Sequence, residues 1–234
     1  MRVSTLAIGG LCLCAVAAGA AEYVTTPDGR RVRLEFVEYG PVPVEKFTYY
    51  FDREGNRVMH GKHTRAFDDG RHLGFTHYLH GVMHGPFVAL AADKSVWMQG
   101  RYERGLLHGT VLWFWPSGAL RKKETYVHGQ LQGPFWAYHE NGQLKEEARF
   151  VAGLKSGPFA EYHPNGRVAF RGSYVGGYIG GRLIAFDANG VKVGEGMLDK
   201  EWIVGPWRCF APDGTLERTR TDCQDRYYIE CTCP

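Results

Sequence analysis

The sequence predicts an all-β fold, an elongated antiparallel β-meander in which 24-residue β-hairpin repeats line up as a single-layer twisted sheet. Three observations carry this expectation. Glycine recurs every 24 residues at Gly61, Gly85, Gly109, Gly133, Gly157, Gly181 and Gly205. A second glycine column runs Gly70, Gly118, Gly142, Gly166, Gly190 and Gly214, with Lys94 as its one lapse. An aromatic column, Tyr78, Tyr102, Tyr126, Phe150 and Tyr174, ends in Leu198, and Gly81, Gly105, Gly129, Gly153 and Gly177 follow it three residues later. Columns that hold one register without an insertion define a repeat array. Such arrays present a surface, because each unit touches its neighbours alone.

Taken in order, residues 1–20 read as a secretory signal peptide. Arg2 supplies a minimal positive start, residues 6–18 an apolar stretch, and Ala18-Gly19-Ala20 a small-x-small site with cleavage expected after Ala20. The stretch is too short and too rich in Gly and Ala for a stable membrane span. Neither Cys12 nor Cys14 has the small preceding residue that lipidation needs. The chain is therefore expected to be exported, to a periplasm or to the exterior. Residues 21–60 are expected to form an N-terminal β cap, in which Asp28-Gly29 and Glu54-Gly55 resemble the turn column but fall outside its register. Six repeats fill residues 61–204, and residues 205–234 hold a half repeat with a cysteine-rich cap.

The repeat at 133–156 shows the local logic. Pro134, Phe135, Trp136, Ala137 and Tyr138 make a short aromatic strand. Asn141-Gly142 is a strong hairpin signal, read as a two-residue turn with both central residues at positive φ. Residues 143–151 form the returning strand, and Ala152-Gly153 turns the chain again. Lys94 is expected to sit in a different kind of turn, since it carries a Cβ. The Asp and Asn of this column, from Asp69-Gly70 onward, are explained by turn chemistry and call for no calcium. Proline follows the opening glycine at Pro86, Pro134, Pro158 and Pro206, where a strand start tolerates the missing N–H. Three apolar columns recur: Leu90, Phe114, Tyr138, Tyr162, Phe186 and Phe210; then Val96, Leu120, Leu144, Val168 and Leu216; then the column of Tyr102, Tyr126 and Tyr174. Their even spacing is expected to put all three on one side of the pleat. Phe114, Tyr138, Tyr162, Phe186, Tyr102, Tyr126 and Tyr174 are the candidate interaction surface.

Four cysteines remain after the leader: Cys209, Cys223, Cys231 and Cys233. Export favours two disulfides over a zinc site, and the paired spacing of a zinc knuckle is lacking. A bond between Cys231 and Cys233 would need unusual geometry. Two pairings stay open: Cys209–Cys231 with Cys223–Cys233, or Cys209–Cys233 with Cys223–Cys231.

The pattern carried by Gly133-Pro134-Phe135, Tyr138, Asn141-Gly142, Leu144, Phe150 and Gly153 resembles the MORN repeat. Phe159, Tyr162, Asn165-Gly166, Val168 and Tyr174 repeat it. The resemblance is closest to the bacterial variant of the YwqK-type antitoxin-like proteins and spans about residues 61–216. It implies an open, twisted meander used for protein or membrane-lipid contact, and an antitoxin role that the leader does not fit.

Chemistry is hard to find. Glu146-Glu147 are neighbours and must face opposite sides of a strand. Serines are few and no Gly-x-Ser-x-Gly elbow occurs. His60, His84 and His108 share a column, as do His80 with His128 and His139 with His163. Equivalent positions lie two strands apart, roughly 9–10 Å, too far to share one ion, although His80 and His84 approach one turn. No catalytic residue, cofactor or metal is expected. Removing Arg2 from 28 basic residues leaves 27 against 25 acidic, a mature charge of +2. Without a basic stripe, nucleic acid is not an expected partner. The expected role is a non-enzymatic binding module for another protein, with a membrane-lipid surface and an antitoxin or immunity role as alternatives.

Overall fold

The computed structural model describes residues 22–39, 45–66, 72–223 and 233. The leader, the Asp69-Gly70 turn and Cys231 lie outside the described residues. Every regular element among those described is a β-strand. The chain forms two compact units, residues 1–107 and 108–234. In the first, a ribbon of Tyr23–Thr25 and Arg31–Arg33 precedes a meander through Glu35–Tyr39, Glu45–Phe51, Gly61–Ala66, His72–Leu79, Val82–Leu90 and Val96–Glu103. Phe47 and Tyr49 form its small core with Met59 packed against them.

In the second unit the meander runs through Gly109–Phe114, Leu120–Val127, Gly133–Tyr138, Leu144–Val151, Gly157–Tyr162, Val168–Val175, Tyr178–Phe186, Lys192–Asp199, Trp207–Phe210 and Leu216–Arg220. Among the described residues all its pairings are antiparallel and none returns the last strand to the first, so the ladder is open.

Two turns alternate along each unit, and their types differ from the expected one. At His139–Gly142, Gly142 N–H donates to His139 O at 2.9 Å, and His139 N–H to Gln143 O at 2.8 Å. Gly142 has φ +83°, whereas Asn141 is not in the left-handed region. This is a type I turn completed by a left-handed glycine and a bulge, not a turn with two positive φ values. The primed turn lies at the other end of the hairpin, where Ala152 (φ 49°) and Gly153 (φ 82°) are both left-handed. Lys94 has φ 72°, its N–H donates to Ala91 O and Ala91 N–H donates to Ser95 O, so it adopts the column's ordinary turn rather than a different one.

The bulge has a second consequence. Ala137 pairs with Glu146, but Tyr138 pairs with Leu144, so one extra residue enters the returning strand. A one-residue shift exchanges the faces of a strand. The expected placement of three apolar columns on one face is therefore overturned. Phe135, Phe150, Phe159 and Tyr174 share one face, with rings 5.5 and 4.6 Å apart in successive pairs. Tyr138, Leu144, Tyr162 and Phe186 lie on the other, where Tyr162 Oη donates to Glu147 and Arg171 sits over Phe186. These are called below the Phe135 face and the Trp136 face.

The C-terminal end of the second unit is closed on the Phe135 face. Leu183, Ile203, Trp207, Cys209 and Cys223 are fully buried there, with Cys233 packed against them. Cys209 is bonded to Cys233, which selects between the two pairings left open by the sequence. Cys223 is disulfide-bonded as well.

Candidate functional site

Both faces of the second unit carry charge, in different ways. On the Phe135 face the charges are held inside an aromatic row. Glu124 is buried and accepts from Trp113 Nε1 at 2.6 Å, Lys122 Nζ at 2.8 Å and Tyr126 Oη at 3.1 Å. Burial, reinforced by Glu124, pushes the Tyr126 hydroxyl up to about 12. Glu146 accepts from Lys155 and from Tyr174 Oη. Glu161 stands directly across from Glu146, and burial together with that neighbour raises its carboxyl above the ordinary range. Glu124 and Glu146 gather the hydrogen bonds of their neighbours, so their local role is to order the face.

The Trp136 face is more open. Cross-strand partners form an unbroken row from Leu112 through Lys123, Trp136, Glu147, Ala160, Arg171, Ile184 and Glu195 to Arg208. Lys123 Nζ lies 5.1 Å from the Trp136 ring centre, a cation–π contact. Beside the primed turns runs an apolar rim: Val127, Val151, Leu154, Val175, Tyr178, Met197, Trp202 and Val204, between 41 and 68% exposed. The rim follows from turn geometry. Val151 pairs with Leu154 and Val175 with Tyr178 across turns that leave both side chains outward.

The expected interaction surface divides between the two faces. Phe114, Tyr138, Tyr162 and Phe186 are half-buried on the Trp136 face, whereas Tyr126 and Tyr174 belong to the Phe135 face. Tyr102 lies in the first unit, its ring 4.7 Å from Phe87. The rim was missed by sequence reasoning. Its signal was present in the apolar residues that flank Ala152-Gly153 and Gly176-Gly177.

Histidines serve the fold. His80 contacts His60, ring centres 4.8 Å apart, and its Nδ1 lies 3.1 Å from Tyr50 Oη. Burial, and then His80, lowers the His60 pKa. His139 Nε2 and His163 Nε2 donate to Tyr162 O and Phe186 O in the next repeat, at 2.8 and 2.9 Å. Among the described residues no group of three or more His, Cys, Asp or Glu side chains is placed to hold a metal ion, and no helix is long and apolar enough to cross a membrane.

The second unit is thus an open β-repeat ladder with an apolar rim along its primed turns. Residues 107–128 and 131–152 match the model of the MORN repeat variant, a class of repeats that generally serve as binding modules. A search among curated proteins finds no match to the chain.

Proposed function

We propose that this chain is an exported, non-enzymatic scaffold whose Trp136 face, in residues 108–234, engages another protein. The apolar rim of that face is the observation that carries the reading. Exposed apolar side chains in a contiguous row mark interaction surfaces, and this row includes Tyr178 and Trp202, residue types enriched at interface centres. The repeat class supports a binding role. Export rests on residues 1–20 and agrees with the Cys209–Cys233 disulfide, since such bonds persist in oxidising compartments.

The test is site-specific photo-crosslinking in the native envelope, with the photoreactive residue at Val175 or Trp202 and a control at Glu146 on the opposite face. The reading expects one protein adduct from the rim positions and none from Glu146. An adduct at Glu146 alone would place the contact on the other face. Flotation of the purified mature chain with vesicles, without a protein adduct, would replace the protein partner by a membrane surface.

A further inference from the structure

At the C-terminal end of the Trp136 face, Arg182, Lys192 and Arg208 surround the single carboxylate Glu195. Arg182 Nε and Lys192 Nζ lie 3.2 and 2.9 Å from Glu195 Oε2, and Arg208 Nη1 lies 3.5 Å from Oε1. Contacts led by Arg182 depress the Glu195 carboxyl to about 2, so it stays charged, yet three cations face one anion and positive charge is left over. The side chain of Glu195 is 10% exposed, whereas those of Arg182 and Arg208 are 60% and 56% exposed. Each guanidinium carries five N–H donors and spends at most two of them on Glu195. Both arginines border a cavity of about 390 Å³.

The other walls of that cavity are Gly196, Met197, Gly205 and Pro206, and Glu195 is its one acidic residue. Met197 is half exposed, and so is Val204, whose N–H donates to Met197 O at 3.0 Å. A guanidinium pair recognises a carboxylate through parallel hydrogen bonds, and the apolar wall beside it matches an apolar side chain. A small inorganic anion would leave that wall uncovered. Gly205 is the opening glycine whose φ is not left-handed, and a Cβ there would meet nothing within 4 Å. Neither backbone conformation nor packing requires glycine at this position, and its lack of a side chain keeps the cavity open.

We propose that the cavity between Arg182 and Arg208 binds a carboxylate side chain of a partner polypeptide together with the apolar residue next to it. This rests on the protein-binding reading of the same face and narrows it to an acidic-apolar sequence. The test is a nuclear magnetic resonance titration of the mature chain with the pentapeptide acetyl-Ser-Leu-Glu-Leu-Ser-amide. Saturable shifts are expected at Arg182, Met197 and Gly205. The dissociation constant should be at least tenfold weaker for the same peptide with Gln in place of Glu, and at least tenfold weaker for Arg182→Gln combined with Arg208→Gln. Gly205→Leu fills the cavity and leaves the ion cluster intact, so it keeps the test independent of any loss of folding in the arginine variant; it should abolish the shifts. Equal binding of the two peptides, unchanged binding by Gly205→Leu, or no saturation at millimolar peptide overturns the proposal. So does binding of inorganic phosphate or phosphatidylglycerol vesicles in place of the peptide. If photo-crosslinking at Val175 persists while the peptide fails, the cavity assignment is wrong and the broader reading stands. If the rim crosslinks nothing, the broader reading itself fails.

Discussion

Replacing Gly196 with Ala should be among the most damaging single-methyl additions in the second unit. Trp207 is 1% exposed and lies flat over Gly194 and Gly196. A Cβ at position 196 would sit 2.4 Å from Trp207 Cε3 and 3.0 Å from Cζ3. Gly196 is not in the left-handed region, so the cost is purely one of packing. The indole has little room to move, because its strand is tied to Gly194 and Cys209 is bonded to Cys233. Overpacking a close-packed core costs typically 1–3 kcal/mol, and losing a buried tryptophan's contacts 3–5 kcal/mol. An indole pushed partly out of its seat falls between, at about 3 kcal/mol. Gly180→Ala is the control, since its Cβ would lie 3.6 Å from Val175 side-chain atoms and also needs no unusual backbone. Urea unfolding followed by tryptophan fluorescence and circular dichroism measures both variants. Equal midpoints at equal slopes would refute the claim that the Trp207 ring sits on the glycine pair.

Five further outcomes are expected. Lys94→Gly should stabilise by about 1 kcal/mol, because a left-handed backbone costs a residue with a Cβ roughly that much, while Gly142→Val should destabilise by about 1–3 kcal/mol; thermal melts of the two variants check the opposite signs. Glu161 has a raised carboxyl in the fold, so its charged form opposes folding at neutral pH and the penalty disappears as pH falls through the raised value toward the unfolded one; Glu161→Gln should raise the urea midpoint at pH 7 and leave it unchanged in acid. Glu195 is the reverse case: its stabilisation is present above its ordinary 4.5 and lost as pH falls toward about 2, and Glu195→Gln should flatten the acid limb of the stability profile across that window. Breaking the Cys209–Cys233 bond, which joins residues 24 apart, should cost roughly 3 kcal/mol in the chain-entropy picture, seen as a lower melting temperature of the Cys209→Ala/Cys233→Ala variant.

The 24-residue period made the antiparallel meander and the glycine-bearing turns of the repeats legible, because glycine spacing and apolar alternation are local signals, whereas the turn at Lys200-Glu201, left-handed at both residues without a glycine, gave no such signal. Turn type was not legible. Asn141-Gly142 satisfies both a primed two-residue turn and a type I turn with a left-handed glycine, and the choice depends on a bulge in the partner strand. That bulge also breaks the parity between Leu144 and Phe150, so an even spacing read along the returning strand put the Tyr138 and Phe150 columns on one face when they lie on opposite ones. Disulfide pairing and the ion cluster around Glu195 were out of reach for a related reason. Arg182, Glu195 and Arg208 are 13 residues apart in each step and meet across three adjacent strands, with no motif in the sequence to announce it.

The hydrogen bonds from Trp115, His139 and His163 to the carbonyls of Tyr138, Tyr162 and Phe186 all point the same way along the chain. Each of these turns contributes a donor and waits for an acceptor from the unit that follows. At the next equivalent position stands Asp187, which has no donor to give and instead accepts from its own loop, through Asn189 N–H and Val191 N–H. Three turns in a row therefore lean on the unit that follows them, and the fourth is satisfied within itself. The relay of side-chain bonds between units thus stops at Asp187, while the strand ladder itself continues through Lys192–Asp199, Trp207–Phe210 and Leu216–Arg220. A duplicated 24-residue unit inserted ahead of Asp187, carrying His at that position, would join the ladder at both ends. One inserted behind it would meet an aspartate that offers no bond and would have to hold its place by strand pairing alone.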